Sequence, residues 1–299
     1  MKLVGLIGYP LGHSISPAFQ QPALDALGID ARYDLWETPA ERLPEVVAGL
    51  RGGQYLGANV TIPHKQAVLP FLDEVDSTAR AIGAVNTIVR DGSRLLGFNT
   101  DVVGFARAVE DDGGIPLRGS RVTVMGAGGA ARAAVAAALL AGAARVIVRA
   151  RRTEQAAALV ADFAKAGLGE AQVGDPLSPC PSPTRGEGGP APLPPGGGGA
   201  GGEGTAILVN ATPLGTAHRT DSATLPIDPD LLHPGLLVCD LVYNPPETPL
   251  LLEARRRGAK TLNGLPMLVY QGAAALERWT ERPAPVGLMR RKAEEALRG

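Results

Sequence analysis

Lys65 closes the stretch "NVTIPHK", Asn59 to Lys65, where a short apolar strand ends and Pro63 suits the start of a helix. A cation in a first helical turn faces the positive end of the macrodipole, which costs roughly 0.3–1 kcal/mol. Such an amine either snorkels to water or is held there for chemistry, and trading a proton is the chemistry a lysine offers. Asn86 in "GAVNTIV" and Asp101 at the end of "GFNTD" stand at strand ends near a domain junction, where α/β proteins place ligands. Asp101 reads both as a helix cap and as a ligand-side group, and Asn86 both as an amide satisfied by backbone and as a ligand-binding group. In "GHSISP", Ser14 and Ser16 are two apart and face one side of extended backbone. Pro17 suits a first helical position, which makes Ser16 the N-cap, and two hydroxyls at a helix N-terminus also suit a carboxylate.

A second kind of chemistry is written in "VTVMGAGGAAR", which puts Gly126, Gly128 and Ala131 in a G-x-G-x-x-G/A pattern between a strand and a helix. In that setting the glycines let backbone approach a pyrophosphate at a positive helix end. NAD-selective sites carry an acid at the end of the next strand. Here that region reads "VIVRARRTEQ", with Arg149, Arg151 and Arg152 before the first acid, Glu154. Guanidinium forks pair with phosphate oxygens, so the expected cofactor is NADP.

These groups need elements to hold them. Strand-like and helix-like runs alternate through "KLVGLIG", "SPAFQQPALDALG", "ARYDLWE", "RLPEVVAGLR", "YLGANVTI" and "HKQAVLPFLDEV", the pattern of a mostly parallel sheet. "GAVNTIV" and "RLLGFNT" flank Asp91-Gly92, a hairpin signal that adds an antiparallel pair. After a connecting helix, "VVGFARAVEDDG", a complete βαβ unit begins at "RVTVMG" and is extended by "AILVNAT" and "LLVCDLV". The fold class is therefore α/β, a mixed-sheet domain followed by a Rossmann-like doubly wound one. Residues 174–204, almost pure Pro, Gly and small polar residues, read as a disordered insertion inside the second domain. "LPMLVYQGAAALERWTE" and "GLMRRKAEEALRG" close the chain as helices.

A length of 299 residues and 45% apolar composition suffice for two cores, and a net charge of -1 with scattered basic residues gives no footprint for nucleic acid or an anionic membrane. Small-molecule chemistry is the expectation. Cys180 and Cys239 lack metal or disulfide spacing, which fits a reducing cytoplasm. Pro10 and His13 interrupt the N-terminal apolar run, so neither a signal peptide nor a membrane segment is expected.

Taken together, "GYPLGHSISP", "GANVTIPHK", "IGAVNTI", "GFNTD", "GAGGAAR", "NATPLG", "DLVYNPPETPLL" and "NGLPMLVYQG" run in an order that resembles shikimate dehydrogenase over nearly the full length. The resemblance implies NADP-dependent, reversible reduction of 3-dehydroshikimate to shikimate, on the route to chorismate and the aromatic amino acids. It implies Lys65 and Asp101 as the catalytic pair, Ser14 and Ser16 on the substrate carboxylate, and Thr61, Asn86 and Gln271 on its ring hydroxyls. Gly126, Ala127, Gly128, Gly129 and Ala130 match the pyrophosphate turn. Arg151, Arg152, Thr153, Glu154, Gln155 and Ala156 match the adenosine-phosphate loop, and Leu241, Tyr243 and Gly264 match groups near the nicotinamide or substrate. The domains it implies are 1–101 for substrate and catalysis, 102–264 for NADP, and 265–299 as helices returning to the first domain. A homodimer stays open. Where the family usually has Asn-Arg-Thr, Arg151-Arg152-Thr153 stands, which strengthens the 2′-phosphate preference. Competing readings are a quinate/shikimate or aminoshikimate dehydrogenase and a non-catalytic NADP-binding regulator; intact Lys65 and Asp101 argue against the last.

Overall fold

Strand β1 (Lys2–Gly8) is buried from Val4 onward, as befits a central strand covered on both faces. Helix α1 (Ser16–Ala26), β2 (Ala31–Glu37), α2 (Leu43–Gly49) and β3 (Tyr55–Val60) wrap two parallel crossovers around it. β4 (Glu74–Val75), α3 (Ser77–Ile82), β5 (Thr87–Asp91) and β6 (Arg94–Phe98) follow, giving a mixed sheet of order β2-β1-β3-β5-β6-β4. Gly92, at φ 61°, turns the β5–β6 hairpin as its Asp-Gly dipeptide predicts. Helix α4 (Asp101–Arg107) runs on into a π-helical turn, Ala108–Asp112.

The computed structural model describes residues 1–176, 205–216 and 224–298 and divides into two units, 1–104 with 268–299 and 105–267. The second unit holds β7 (Arg121–Met125), α5 (Gly129–Leu140), β8 (Arg145–Arg149), α6 (Thr153–Lys165), β9 (Gln172–Val173), β10 (Ala206–Asn210), β11 (Leu236–Asp240), α7 (Pro249–Arg256) and β12 (Lys260–Leu262). Its strands pair in parallel in the order β12-β11-β10-β7-β8-β9. The chain winds outward in both directions from the junction of β7 and β10, the switch point where doubly wound sheets take ligands at their carboxyl ends. Small residues explain how α5 lies so close to the sheet: Ala131, Ala133, Ala134, Ala136 and Ala138 are all fully buried.

Helices α8 (Leu265–Thr280) and α9 (Val286–Arg298) end the chain, and from Leu268 onward they belong to the first unit. The Trp279 indole N–H donates to Ile88 O at 2.9 Å, Gln20 Nε2 donates to Gly272 O at 3.0 Å, and Arg278 stacks 3.9 Å from the Phe98 ring centroid. Gly57 makes room for the first of these, since a Cβ there would collide with Ile88 O and lie 2.7 Å from Trp279 Nε1.

Three expectations change. "HKQAVLPFLDEV" forms turns, a short 3-10 segment Leu69–Phe71 and β4, with no α-helix. Pro70 supplies no amide donor, and the Lys65 carbonyl is taken by Val85 N–H at 2.7 Å. Ser16 is the first residue of α1, with Ile15 at the cap position, and its N–H donates to Ser14 Oγ at 3.3 Å. Of the expected insertion, Gly174 N–H still donates to Val148 O at 2.9 Å, which prolongs the β8 edge, while residues 177–204 lie outside the described residues.

Candidate active site

In the first unit Lys65 sits on the turn that leaves β3, not on a helix, so the expected macrodipole cost does not arise. Its neighbours fix that turn: His64 N–H donates to Thr61 O at 2.8 Å, and the buried His64 ring meets Thr38 O at 2.6 Å. Lys65 Nζ donates to Asp101 Oδ2 at 2.6 Å, with the two side chains 16% and 7% exposed. At this depth a pair survives only if the remaining lone pairs are satisfied. Asn86 Nδ2 satisfies Asp101 Oδ1 at 2.8 Å, and the Asp101 amide donates to Asn99 Oδ1 at 3.1 Å. Asp101 opens α4, but its carboxylate reaches for charge and does not cap.

Asn86, just ahead of β5, is locked in turn. Its Oδ1 accepts from Thr100 N at 2.7 Å, Thr100 Oγ1 at 3.1 Å and Thr87 Oγ1 at 3.0 Å, so its amide face is fixed toward Asp101 and toward Gln271 Oε1 at 3.3 Å. Gln271 comes from α8, which explains why the chain must return to this unit. Ser14 Oγ donates to Ser16 Oγ at 3.2 Å. Thr61, half-buried, continues the β3 line, its N–H donating to Ile7 O at 2.9 Å.

Two buried residues that sequence reasoning does not single out extend this network. Tyr33 OH donates to Asn59 Oδ1 at 2.8 Å, and Asn59 Nδ2 reaches Asn86 O and Thr87 Oγ1, both at 3.3 Å. Burial pushes the Tyr33 phenol up and keeps it a neutral donor, against the opposing hydrogen bond to Ser16. A signal for Asn59 exists in the sequence: it stands two residues before Thr61, on the same side of extended backbone.

In the second unit Gly126 follows β7 at φ 116°, and a Cβ there would meet Ala211 O at 2.9 Å, whereas nothing lies within 4 Å of the Gly128 position. Gly128 is the N-cap of α5 in extended backbone with no side-chain cap. The first-turn amides around Gly129 and Ala130 thus meet no side chain of the cap, and beside Ala127 and Gly128 backbone is accessible, which suits a phosphate. Arg151 and Arg152 are exposed at the start of α6, followed by half-buried Thr153 and exposed Glu154 and Gln155. Ala156 faces inward, fully buried. Arg149 differs from them, its Nε donating to Asp175 O at 2.9 Å.

Beyond β11 the half-buried residues Leu241 and Tyr243 flank Val242, whose carbonyl accepts from Gly264 N at 3.0 Å. Any Cβ at Gly264 would collide with the Leu241 carbonyl, so a glycine is required for that approach. Burial raises the Tyr243 phenol above its ordinary value.

A lysine–carboxylate pair inside a polar network in one unit, and an open glycine turn at a switch point in the other, define a two-domain dehydrogenase. The family models for the shikimate dehydrogenase substrate binding domain and the shikimate 5'-dehydrogenase C-terminal domain match residues 6–88 and 264–294. Shikimate dehydrogenase (NADP(+)) of Symbiobacterium thermophilum is 44% identical over 100% of this chain and 95% of its own length. The enzyme of that name from Geobacillus kaustophilus is 40% identical over 99% of each chain. A crystal structure of shikimate 5-dehydrogenase from Thermus thermophilus, in complex with NADP(H) and shikimate, is 36% identical with a TM-score of 0.81, covering 99% of this chain and 100% of that one. The chain belongs to the shikimate dehydrogenase family.

Proposed function

We infer that this chain catalyses the reversible, NADPH-dependent reduction of 3-dehydroshikimate to shikimate, in the cytoplasm, where a reduced thiol such as buried Cys239 persists. The observation that carries the reading is the 2.6 Å contact of Lys65 Nζ with Asp101, completed by Asn86 and Gln271. When bound, NADPH supplies the hydride. Lys65 gives a proton to the oxygen that gains charge and takes it back in the oxidation direction, while Asp101 aims the ammonium. The hydroxyls of Ser14 and Ser16 hold the substrate carboxylate, and Thr61, Asn86, Gln271 and Tyr243 hold the ring. Gly126, Ala127, Gly128, Gly129 and Ala130 take the pyrophosphate through their amides. Arg151 and Arg152, with Thr153, Glu154, Gln155 and Ala156, take the 2′-phosphate end, and Leu241 and Gly264 line the nicotinamide side.

A neutral substrate analogue would waste the paired hydroxyls at Ser14 and Ser16, and an NAD-specific site would waste two exposed arginines. The arginines favour NADP over NAD, while the serines suit the carboxylate of shikimate, quinate and aminoshikimate alike, and kinetics with each substrate separates those three. The decisive measurement is NADP+ reduction with shikimate, made on the wild type and on Lys65→Ala. Turnover in the variant should fall about 10²–10⁴-fold with shikimate still bound; near-normal turnover would overturn the role given to Lys65.

A further inference from the structure

At the carboxyl ends of β10 and β11 lies a second buried polar cluster that none of the roles above uses. Asp240 is fully buried. Its Oδ1 accepts from Asn210 Nδ2 at 2.9 Å and Val242 N at 3.1 Å, and its Oδ2 accepts from Thr248 Oγ1 at 2.6 Å. Each partner passes the constraint on. Asn210 Oδ1 accepts from Thr212 N at 3.0 Å and Thr212 Oγ1 at 2.6 Å, and Asn210 Nδ2 also reaches Leu214 O at 3.3 Å. Thr248 caps α7 by accepting from Leu251 N at 3.3 Å.

The first of the two loops so tied, after β10, borders the glycine turn, and the second lies beside it at the end of β11. Ala211 N–H donates to Met125 O at 2.8 Å at the end of β7, and the Ala211 carbonyl occupies the space that a side chain at Gly126 would need. Gly215, at φ 93°, leaves Thr248 room, since a Cβ there would lie 3.3 Å from the Thr248 Cβ. The segment Leu241 to Tyr243 is fixed at its middle residue, where Val242 N donates to Asp240 Oδ1 and Val242 O accepts from Gly264 N at 3.0 Å. A structural core would be served more cheaply by apolar residues, because burying a carboxylate costs several kcal/mol even with donors around it. What the carboxylate gains is three donors fixed at once, one at the end of β10 and two within the 241–249 loop.

We propose that Asn210, Asp240 and Thr248 form a positioning triad that sets the 211–216 and 241–249 loops at the cofactor's reactive end, and so governs NADP binding and hydride-step rate without touching the reactants. This rests on the assignment of the second unit to NADP. The test uses the full chain as Thr248→Val, which keeps shape and loses the hydroxyl, and Thr248→Ser, which restores it. NADP+ binding is read by calorimetry, shikimate binding by calorimetry without cofactor, and kcat and KM well below the melting temperature of each variant.

In Thr248→Val the NADP+ Kd should rise about tenfold, the equivalent of one lost charge-assisted hydrogen bond, and kcat should fall. Shikimate affinity should stay unchanged, and Thr248→Ser should return to wild type. A Thr248→Val protein that melts earlier yet binds NADP+ and turns over normally would show a purely structural cluster and overturn the proposal, as would a serine variant no better than valine. Should Thr248→Val not fold, Asp240→Asn takes its place in the same measurements: weakened NADP+ binding with unchanged shikimate affinity supports the triad, and normal NADP+ binding and turnover overturn it. If the wild type binds NADP+ but does not oxidise shikimate, the assigned reaction fails while the calorimetric contrast still decides the triad.

Discussion

Asn86 shows how much one side chain can carry: its carbonyl oxygen accepts three hydrogen bonds and its amide serves both Asp101 and Gln271. Asn86→Ala should therefore cost more than a contact, leaving the Thr100 N–H and one Asp101 oxygen without partners, on the order of 2–4 kcal/mol of stability. Denaturant melts compared with Asn86→Asp separate the two losses, since aspartate keeps the Thr100 bond but repels Asp101. Asp240 carries a pH signature. Burial, opposed by its bonds from Thr248, Val242 and Asn210, pushes its carboxyl up to about 6, above the ordinary range near 3.9. The folded state thus binds this proton more tightly, so the associated stability is full below about pH 4 and is lost as pH rises through about 6. Measured against wild type, Asp240→Asn should shift by a constant loss of bonds plus a slope, its relative melting temperature rising between pH 4 and 7. A flat difference curve would show that the carboxyl stays charged throughout.

At the scale of elements, what could be read ahead followed locality. The Asp91-Gly92 hairpin and the turn at Gly126 were legible because each obeys a rule that spans only a few residues. The helix expected after Pro63 was not there, because the bond from Val85 N to Lys65 O comes from a part of the chain that no local pattern reveals. β9 and β12 escaped because two or three residues are too few to show a period. The catalytic candidates Lys65 and Asp101 could be named from their motifs, while Tyr33 and Asn59, joined across 26 positions, needed the fold. The glycine turn yields a prediction of its own. Gly126→Ala has no room and a disallowed φ, so it should lower the melting temperature and weaken NADP+ binding together. Gly128→Ala meets open space and should leave the melting temperature near wild type while obstructing only the nucleotide. At the start of α6, changing Arg151 and Arg152 together to Ser should raise the NADPH KM about tenfold and leave the NADH KM nearly unmoved, as steady-state kinetics with both nucleotides would reveal.

For the whole molecule the critical fact is that the first unit is discontinuous, 1–104 with 268–299, while 105–267 is one uninterrupted run. Trp279→Phe keeps an aromatic ring but removes the indole donor from Ile88 O, a buried hydrogen bond whose loss costs about 0.5–1.5 kcal/mol. Differential melting should show that loss in the first unit, and shikimate binding should weaken before NADP+ binding does, since Gln271 rides on the same helix. Equal weakening of both ligands would contradict it. The bond between Trp279 and Ile88 also has a meaning in time. On a ribosome, residues 1–104 emerge before 105–267, yet the helices that complete them, 268–299, are made only after it. Of the two units, the one begun first is thus the one finished last, and the serines, the lysine and the aspartate await a glutamine made only after the whole of the other unit.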